Sequence, residues 1–252
     1  MMFFYNLILL FVYFCLFFFL AQKKKNNALI DIAWGLGFVL IAIVNYLFSA
    51  FDIRSNVVFI LILLWGLRLS YHLFLRNWNK EEDFRYQEMR KKWGDKQEIK
   101  AFVNVFMSQM VLLYIISLPI VFIMSDSGRL TLFDYVGVLL WIIGYFFEVV
   151  GDYQLKKFIS LEKNKGKLMT IGLWKYTRHP NYFGEGLMWI GLGVIALSVP
   201  SGYISLISPL LINYLLIFVS GVPLLEKKYQ NRPDFIEYAR KTNMFFPGPG
   251  RR

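Results

Sequence analysis

Long apolar segments constrain this chain more than any other feature of its sequence. Seven of them, each close to the ~20 residues that cross a bilayer as a helix, are separated by short polar stretches. They cover residues 2–20, 28–50, 57–75, 101–124, 132–151, 182–199 and 203–225. Apolar residues make up 57% of the chain and charged residues only 18%, which is typical of polytopic membrane proteins. The sequence therefore predicts an all-α, polytopic membrane helix bundle of about seven transmembrane helices, forming a single domain over residues 1–252.

The basic residues predict how these helices are oriented. The segments after the first, third, fifth and seventh helices hold 25 of the 28 lysines and arginines, whereas the opposite side holds only Arg54 and Arg129. Because Lys and Arg accumulate in cytoplasmic loops, we expect the N-terminus outside and the C-terminus in the cytosol. Topology thus explains the net charge of +11, and we expect no nucleic-acid partner. The bilayer would be a bacterial inner membrane or one of endoplasmic-reticulum type.

A polar run over residues 172–185 lies at the cytosolic mouth of the sixth apolar segment. Pro180 is best placed as the first residue of a helix, where its missing N–H costs nothing. The residues before it then form a cationic loop that carries Lys175 and Arg178. The free N–H groups and positive dipole end of the helix suit an anion such as phosphate. Asn181 and Glu185, four residues apart, share one face of this helix.

Ionisable residues within the apolar segments or at their cytosolic ends also indicate a site, because such groups are costly in a bilayer and usually functional. They occur on three predicted helices, at similar cytosolic depth: Arg68, His72, Glu148, Asp152, Lys156 and Glu185. The alternative is interhelical pairing, for instance of Arg68 with Glu148, that only holds the bundle together. Cys15 is the single cysteine and there are two histidines, so the sequence predicts no metal site. A phosphate-bearing cofactor that enters from the cytosol fits best.

These motifs resemble those of the steroid 5α-reductase-like membrane proteins, particularly bacterial members of unassigned substrate. The resemblance covers most of the chain and includes residues 31–37, 65–68, 178–185, 226, 232–235, 238 and 242. Its most specific part, Asn-Tyr-Phe-Gly-Glu over residues 181–185, is also similar to the sterol reductases. It implies about seven membrane helices, with NADPH bound on the cytosolic side by residues of about 101–252. The reaction would be hydride transfer to a conjugated C=C bond in a steroid-like or other lipid substrate.

The resemblance also implies roles for individual residues. Asn181 and Glu185 would hold the nicotinamide end of NADPH, and Asp152 and Lys156 would line the cofactor cavity. Trp174 matches a tryptophan that contacts the cofactor in sterol reductases. By charge and position, Lys156, Lys175 and Arg178 are the candidates for phosphate contacts. The complete predicted cofactor-binding set is Asp152, Lys156, Trp174, Lys175, Arg178, His179, Asn181, Tyr182 and Glu185.

The substrate side departs from the family pattern. Members of known activity use a Gln/Glu pair on the second helix and a tyrosine on the third to bind the substrate carbonyl. Here Asp31 is the only acid of the second segment, and Trp65 aligns with the tyrosine. The candidates for the catalytic proton donor are therefore Asp31, Tyr71 and His72.

Two other functions remain open. Residues 178–184 also match the Arg-His-Pro-X-Tyr-X-Gly run of isoprenylcysteine-type membrane methyltransferases, which use S-adenosylmethionine. Asn181 and Glu185 favour the reductase, whereas the missing carbonyl-site tyrosine weakens it. The third hypothesis is a non-catalytic membrane protein that binds lipid, because a fold alone does not establish an activity.

Overall fold

The computed structural model describes residues 2–78 and 80–250, and these residues form twelve α-helices with no β-strand among them. Short 3₁₀ and π segments join several of the helices. The α-helices are α1 (Met2–Lys24), α2 (Leu29–Leu47), α3 (Ile53–Asn77), α4 (Phe84–Trp93), α5 (Gln97–Ala101), α6 (Ser108–Ile116), α7 (Leu118–Met124), α8 (Leu132–Ser160), α9 (Pro180–Ala196), α10 (Ile207–Tyr214), α11 (Val222–Tyr229) and α12 (Pro233–Lys241). The predicted all-α class is confirmed.

Within the described residues, six helical stretches are long and apolar enough to cross a membrane. They are Met2–Lys24, Leu29–Leu47, Ile53–Asn77, Arg85–Ile116, Leu132–Ser160 and Gly202–Tyr229. The remaining predicted segment forms α9, whose 17 residues rise about 26 Å, slightly less than the ~30 Å of a hydrocarbon core. The protein is therefore an integral, multi-pass membrane protein in a lipid bilayer. Which side its loops face stays a prediction.

Two of the helical stretches are interrupted near prolines. α6 ends at Ile116 and α7 resumes at Leu118, with Pro119 in its first turn. In the last stretch, a π-helical segment, Leu215–Val219, separates α10 from α11. A Cβ at Gly221 would collide with the carbonyl oxygen of Leu216, so only glycine fits this tight passage into α11.

The chain divides into two compact units. The first contains the described residues up to Leu130 together with Val199–Ser205, and the second contains Thr131–Ser198 together with the residues from Leu206 onward. In the first unit α2 and α3 pack closely, because a Cβ at Gly35 would lie 2.7 Å from the carbonyl oxygen of Gly66. Small residues allow this approach of two helix backbones in a membrane.

An asparagine pair ties α1 to α2 in the first unit. The Asn6 side-chain amide donates to Asn45 Oδ1 at 3.2 Å, and the Asn45 amide donates back to Asn6 Oδ1 at 3.0 Å. Both side chains are buried. The Asn45 amide also donates to the Ile41 carbonyl oxygen at 2.8 Å. Because Asn6 is buried, losing Asn45 would leave the Asn6 amide without this partner and out of reach of water.

We expect Asn45→Leu to lower the free energy of unfolding by about 1–2 kcal/mol, because the Asn6 amide then stays buried without its partner. The double variant Asn6→Leu/Asn45→Leu should recover most of this loss, since no unpaired amide remains. Thermal unfolding in detergent of the wild type, Asn6→Leu, Asn45→Leu and the double variant gives a double-mutant cycle. This cycle measures the interaction energy between the two side chains. Additive losses in the double variant would show that the two amides do not stabilise one another.

In the second unit, α8 and α9 run antiparallel with their backbones in contact. Glycines recur every seven residues, about two helical turns, on the facing sides of both helices. The contacts pair Gly137 with Gly191, Gly144 with Gly184, and Gly151 with Pro180. A Cβ added at Gly144 would lie 2.5 Å from the Gly184 carbonyl oxygen, so the interface admits no side chain there. This contact fixes the start of α9 against α8.

Candidate functional site

The loop before α9 is folded onto α8 by side-chain hydrogen bonds. It enters a 3₁₀ turn at Gly172, whose φ of +64° favours glycine. Gln154 Oε1 accepts from the backbone N–H of Leu173 at 2.9 Å. The buried Trp174 donates its indole N–H to the carbonyl oxygen of Gly151 at 3.2 Å. A ligand can therefore meet Trp174 only through the ring itself, since its one polar atom is bound.

The C-terminal segment holds the same loop from the other side. The Tyr238 hydroxyl on α12 donates to the carbonyl oxygen of Trp174. Burial raises the pKa of Tyr238, which keeps the hydroxyl protonated as this bond requires. The buried Thr177 hydroxyl donates to the carbonyl oxygen of Phe245 at 2.8 Å. The loop is thus held between α8 and the end of the chain.

Arg178 is bound within the protein by four hydrogen bonds. Its Nε and Nη2 donate to the two carboxylate oxygens of Glu226 at 2.7 and 3.1 Å. Its Nη1 donates to the carbonyl oxygens of Ala239 and Thr242, at the end of α12. The Arg178 side chain is only 11% exposed. Its predicted role as a phosphate contact stays a prediction. The geometry shows a guanidinium that joins the loop before α9 to α11 and to the end of α12.

His179, the residue before α9, shares the same carboxylate. Its Nε2 lies 3.0 Å from Glu226 Oε1, and its ring stacks on the ring of Tyr182 with centroids 5.7 Å apart. Its Nδ1 is buried and has no hydrogen-bond partner. Leaving such an atom unsatisfied costs about 1–3 kcal/mol, and folded proteins rarely tolerate it without a purpose.

The structure brings two further predicted residues together. The Asn181 side-chain amide on α9 donates to Asp152 Oδ1 on α8 at 3.2 Å. Both are half-buried, as is Glu185, one turn further along α9. The sequence predicted that both residues line one cofactor cavity, and this contact brings α8 and the start of α9 together at these two residues.

Two of the predicted phosphate contacts are accessible cations. Lys156 lies near the end of α8, and Lys175 ends the 3₁₀ turn before α9. Both side chains are exposed. They can meet an anion from water. Arg178, whose side chain is only 11% exposed, would first have to give up its present partners.

The predicted catalytic residues belong to the first unit. Asp31 on α2 is 17% exposed and accepts a hydrogen bond from the Tyr86 hydroxyl at 3.1 Å. Arg85 Nη2 and Arg76 Nη2 lie 3.6 and 3.9 Å from Asp31 Oδ2. Tyr86 itself is buried. The predicted role of Asp31 as a proton donor stays a prediction.

The other two predicted catalytic residues lie on α3. Tyr71 is 65% exposed and His72 is half-buried. The hydroxyl that the structure brings to Asp31 belongs to Tyr86, which the sequence analysis did not single out. Tyr86 lies on α4, 55 residues from Asp31. No local spacing could have indicated this contact.

Comparison with known proteins gives a family and one distant relative. A family model described as "Protein of unknown function (DUF1295)" matches residues 17–242. An uncharacterized protein of Schizosaccharomyces pombe is 21% identical over 210 residues, which cover 73% of this chain and 60% of the yeast protein. The chain thus spans less than two thirds of the length of this relative. No solved structure matches the chain.

Proposed function

Because this chain belongs to the DUF1295 family of proteins of unknown function, we propose its activity from its own residues and from the motifs described above. The protein is an NADPH-dependent reductase of a C=C bond conjugated to a carbonyl in a lipid substrate. This is the activity of the steroid 5α-reductase-like proteins, which residues 178–185 resemble. The observation that carries the proposal is the first turn of α9, where Asn181, His179 and the helix N-terminus offer hydrogen bonds beside exposed lysines.

The side chains present fit NADPH. The orphaned Nδ1 of His179 and the amide of Asn181 suit a neutral polar group such as a carboxamide. Lys156 and Lys175 are exposed and would hold phosphates as point charges. When bound, NADPH supplies a hydride. Arg178 serves the site indirectly, because its bonds to Glu226 and α12 hold the loop that carries His179.

The proton donor of the proposed reaction is sought among Asp31, Tyr71 and His72, as predicted. Tyr86 joins these candidates because its hydroxyl lies 3.1 Å from Asp31 Oδ1. The guanidinium groups of Arg76 and Arg85 lie 3.9 and 3.6 Å from Asp31 Oδ2. Tyr86 has one hydroxyl hydrogen, which it donates to Asp31. It can act as the acid toward an enone carbonyl only when that hydrogen turns from Asp31 to the substrate.

Asn181→Ala is expected to weaken NADPH binding about tenfold or more, because the variant loses a side-chain amide at the proposed nicotinamide end. Calorimetry on the purified, detergent-solubilised protein measures this. The matched control is Asn104→Ala, at an exposed asparagine of the first unit, which should bind NADPH as the wild type does. Unchanged affinity in Asn181→Ala would remove Asn181 from the proposed site.

The same measurement separates the competing functions. Binding of S-adenosylmethionine and not NADPH would replace the reductase by a membrane methyltransferase of the isoprenylcysteine type. Binding of neither, by a protein with a cooperative thermal transition, would favour a non-catalytic lipid-binding protein. Tight NADPH binding justifies a screen of enone lipids for turnover.

A further inference from the structure

The residues that follow α1 and those that follow α3 meet at one end of the first unit. The side-chain amide of Asn26, in the turn after α1, donates to the carbonyl oxygen of Lys80 at 3.2 Å. The Lys24 ammonium, on the last residue of α1, lies 3.7 Å from the ring centroid of Trp78. Because of these two contacts, the basic residues after the first helix and after the third share one surface.

Three exposed cations lie at this junction, and we call them the lysine patch: Lys24, Lys25 and Lys80. The acids of the following segment are bound by arginines. Glu82 accepts from Arg90 at 2.9 and 3.0 Å. Asp83 Oδ1 accepts from Arg85 Nε at 2.8 Å. Glu81, which is exposed, offsets one of the three lysine charges, so the lysine patch keeps a net positive charge.

Membrane topology alone does not account for this arrangement. The excess of Lys and Arg on one side depends on how many each loop carries, and it does not require two loops to be bonded together. Lys25 also has a φ of +51°, in the left-handed region where glycine or asparagine usually ends a helix. A lysine adopts this conformation at a cost in backbone energy, and such residues are common at functional sites. Both features favour a binding role for the lysine patch.

The position of the lysine patch indicates the chemistry of its ligand. It lies at the ends of two membrane-spanning helices, where the headgroups of a bilayer are, and tryptophans such as Trp78 are enriched at this depth. Phe19 on α1 and Leu75 on α3, close to these ends, are exposed apolar residues. A soluble anion would use only the lysines, whereas a phospholipid also covers the apolar residues with an acyl chain.

We propose that the lysine patch binds the headgroup of a phospholipid of net negative charge. The three ammonium groups meet the phosphate, and an acyl chain lies along the exposed apolar residues of α1 and α3. A zwitterionic lipid fits less well, because its own cation is repelled by the lysines. This site is independent of the proposed reductase activity, since all of its residues belong to the first unit and none is a proposed cofactor contact.

The experiment compares two lipids with the same acyl chains. Dioctanoyl phosphatidylglycerol and dioctanoyl phosphatidylcholine are titrated by calorimetry into the full-length protein in a nonionic detergent at low salt. The anionic lipid should bind about tenfold more tightly or better, because each lysine near a lipid surface adds to the attraction. Equal affinities would overturn the proposal. Inorganic phosphate should bind far more weakly than phosphatidylglycerol, and equally tight binding would make the patch a site for soluble anions instead.

Two triple variants with equal changes of charge locate the site. The patch variant is Lys24→Gln/Lys25→Gln/Lys80→Gln, which keeps Lys23 as a topology signal and should bind both lipids equally. The control is Lys163→Gln/Lys165→Gln/Lys167→Gln, in an exposed loop of the second unit, and it should keep the preference. A preference that persists in the patch variant, or is lost equally in the control, would overturn the assignment. The wild-type comparison decides the question even if the patch variant fails to fold.

Discussion

Replacing Glu226 by alanine is expected to lower the free energy of unfolding by about 3 kcal/mol, since it removes one partner of a largely buried ion pair. Arg178 would lose two of its four hydrogen bonds, and its side chain is only 11% exposed. His179 would lose its bond at Nε2 as well. Thermal unfolding followed by tryptophan fluorescence in detergent measures the effect.

The chain offers a matched control for this substitution. Glu237 on α12 also forms an ion pair, with Lys241 at 2.6 Å, but both side chains are mostly exposed. Exposed pairs contribute little because water and salt screen them. Glu237→Ala should therefore unfold within a few degrees of the wild type. Equal destabilisation by the two substitutions would show that the Arg178–Glu226 pair does not hold the second unit together.

Gly144→Ala should destabilise the second unit by about 1–3 kcal/mol, because the new methyl group has no room between α8 and α9. It would lie 2.5 Å from the Gly184 carbonyl oxygen and 2.8 Å from Met188 Cγ. Backbone atoms cannot move aside as a flexible side chain can, so the two helices must separate. Binding of NADPH should weaken too, since α8 and α9 carry the two sides of the proposed site.

Gly128→Ala is the control for the glycine substitution. Its methyl group would meet Arg54 Nη1 at 3.6 Å and Asp126 Oδ2 at 3.7 Å, which are ordinary contact distances. We expect its melting temperature to match that of the wild type. If Gly144→Ala melted at the same temperature, the close approach of α8 and α9 in the structure would be wrong.

The positions of the helices could be predicted from the sequence because a helix that spans a bilayer needs a long run of apolar residues. Pro180 was predicted to open a helix, and α9 begins there. The helix ends were harder to predict. α8 was expected to end near residue 151 and continues to Ser160. Its last turns leave the apolar segment but contain Gln, Leu and Lys residues, which favour helix in water as well.

The partners within the site could not be predicted in the same way. Charge and position made Arg178 a candidate for phosphate binding, whereas the structure shows it bonded to Glu226, 48 residues away. Asp31 was recognised as an unusual acid, but its hydrogen bond comes from Tyr86, 55 residues away. Periodicity reports which face of a helix a residue occupies. It carries no information on which distant residue will meet that face.

The bond between Arg178 and Glu226 also has a consequence for the order in which the protein is made. A ribosome adds about 5–20 residues per second, so Glu226 leaves the peptidyl-transferase centre about 2–10 s after Arg178. During that interval the guanidinium and the imidazole beside it have no carboxylate partner. A chain that stops before its last helical stretch would carry an unneutralised Arg178 at the membrane surface. The Arg178–Glu226 bond can therefore form only after α11 has been synthesised.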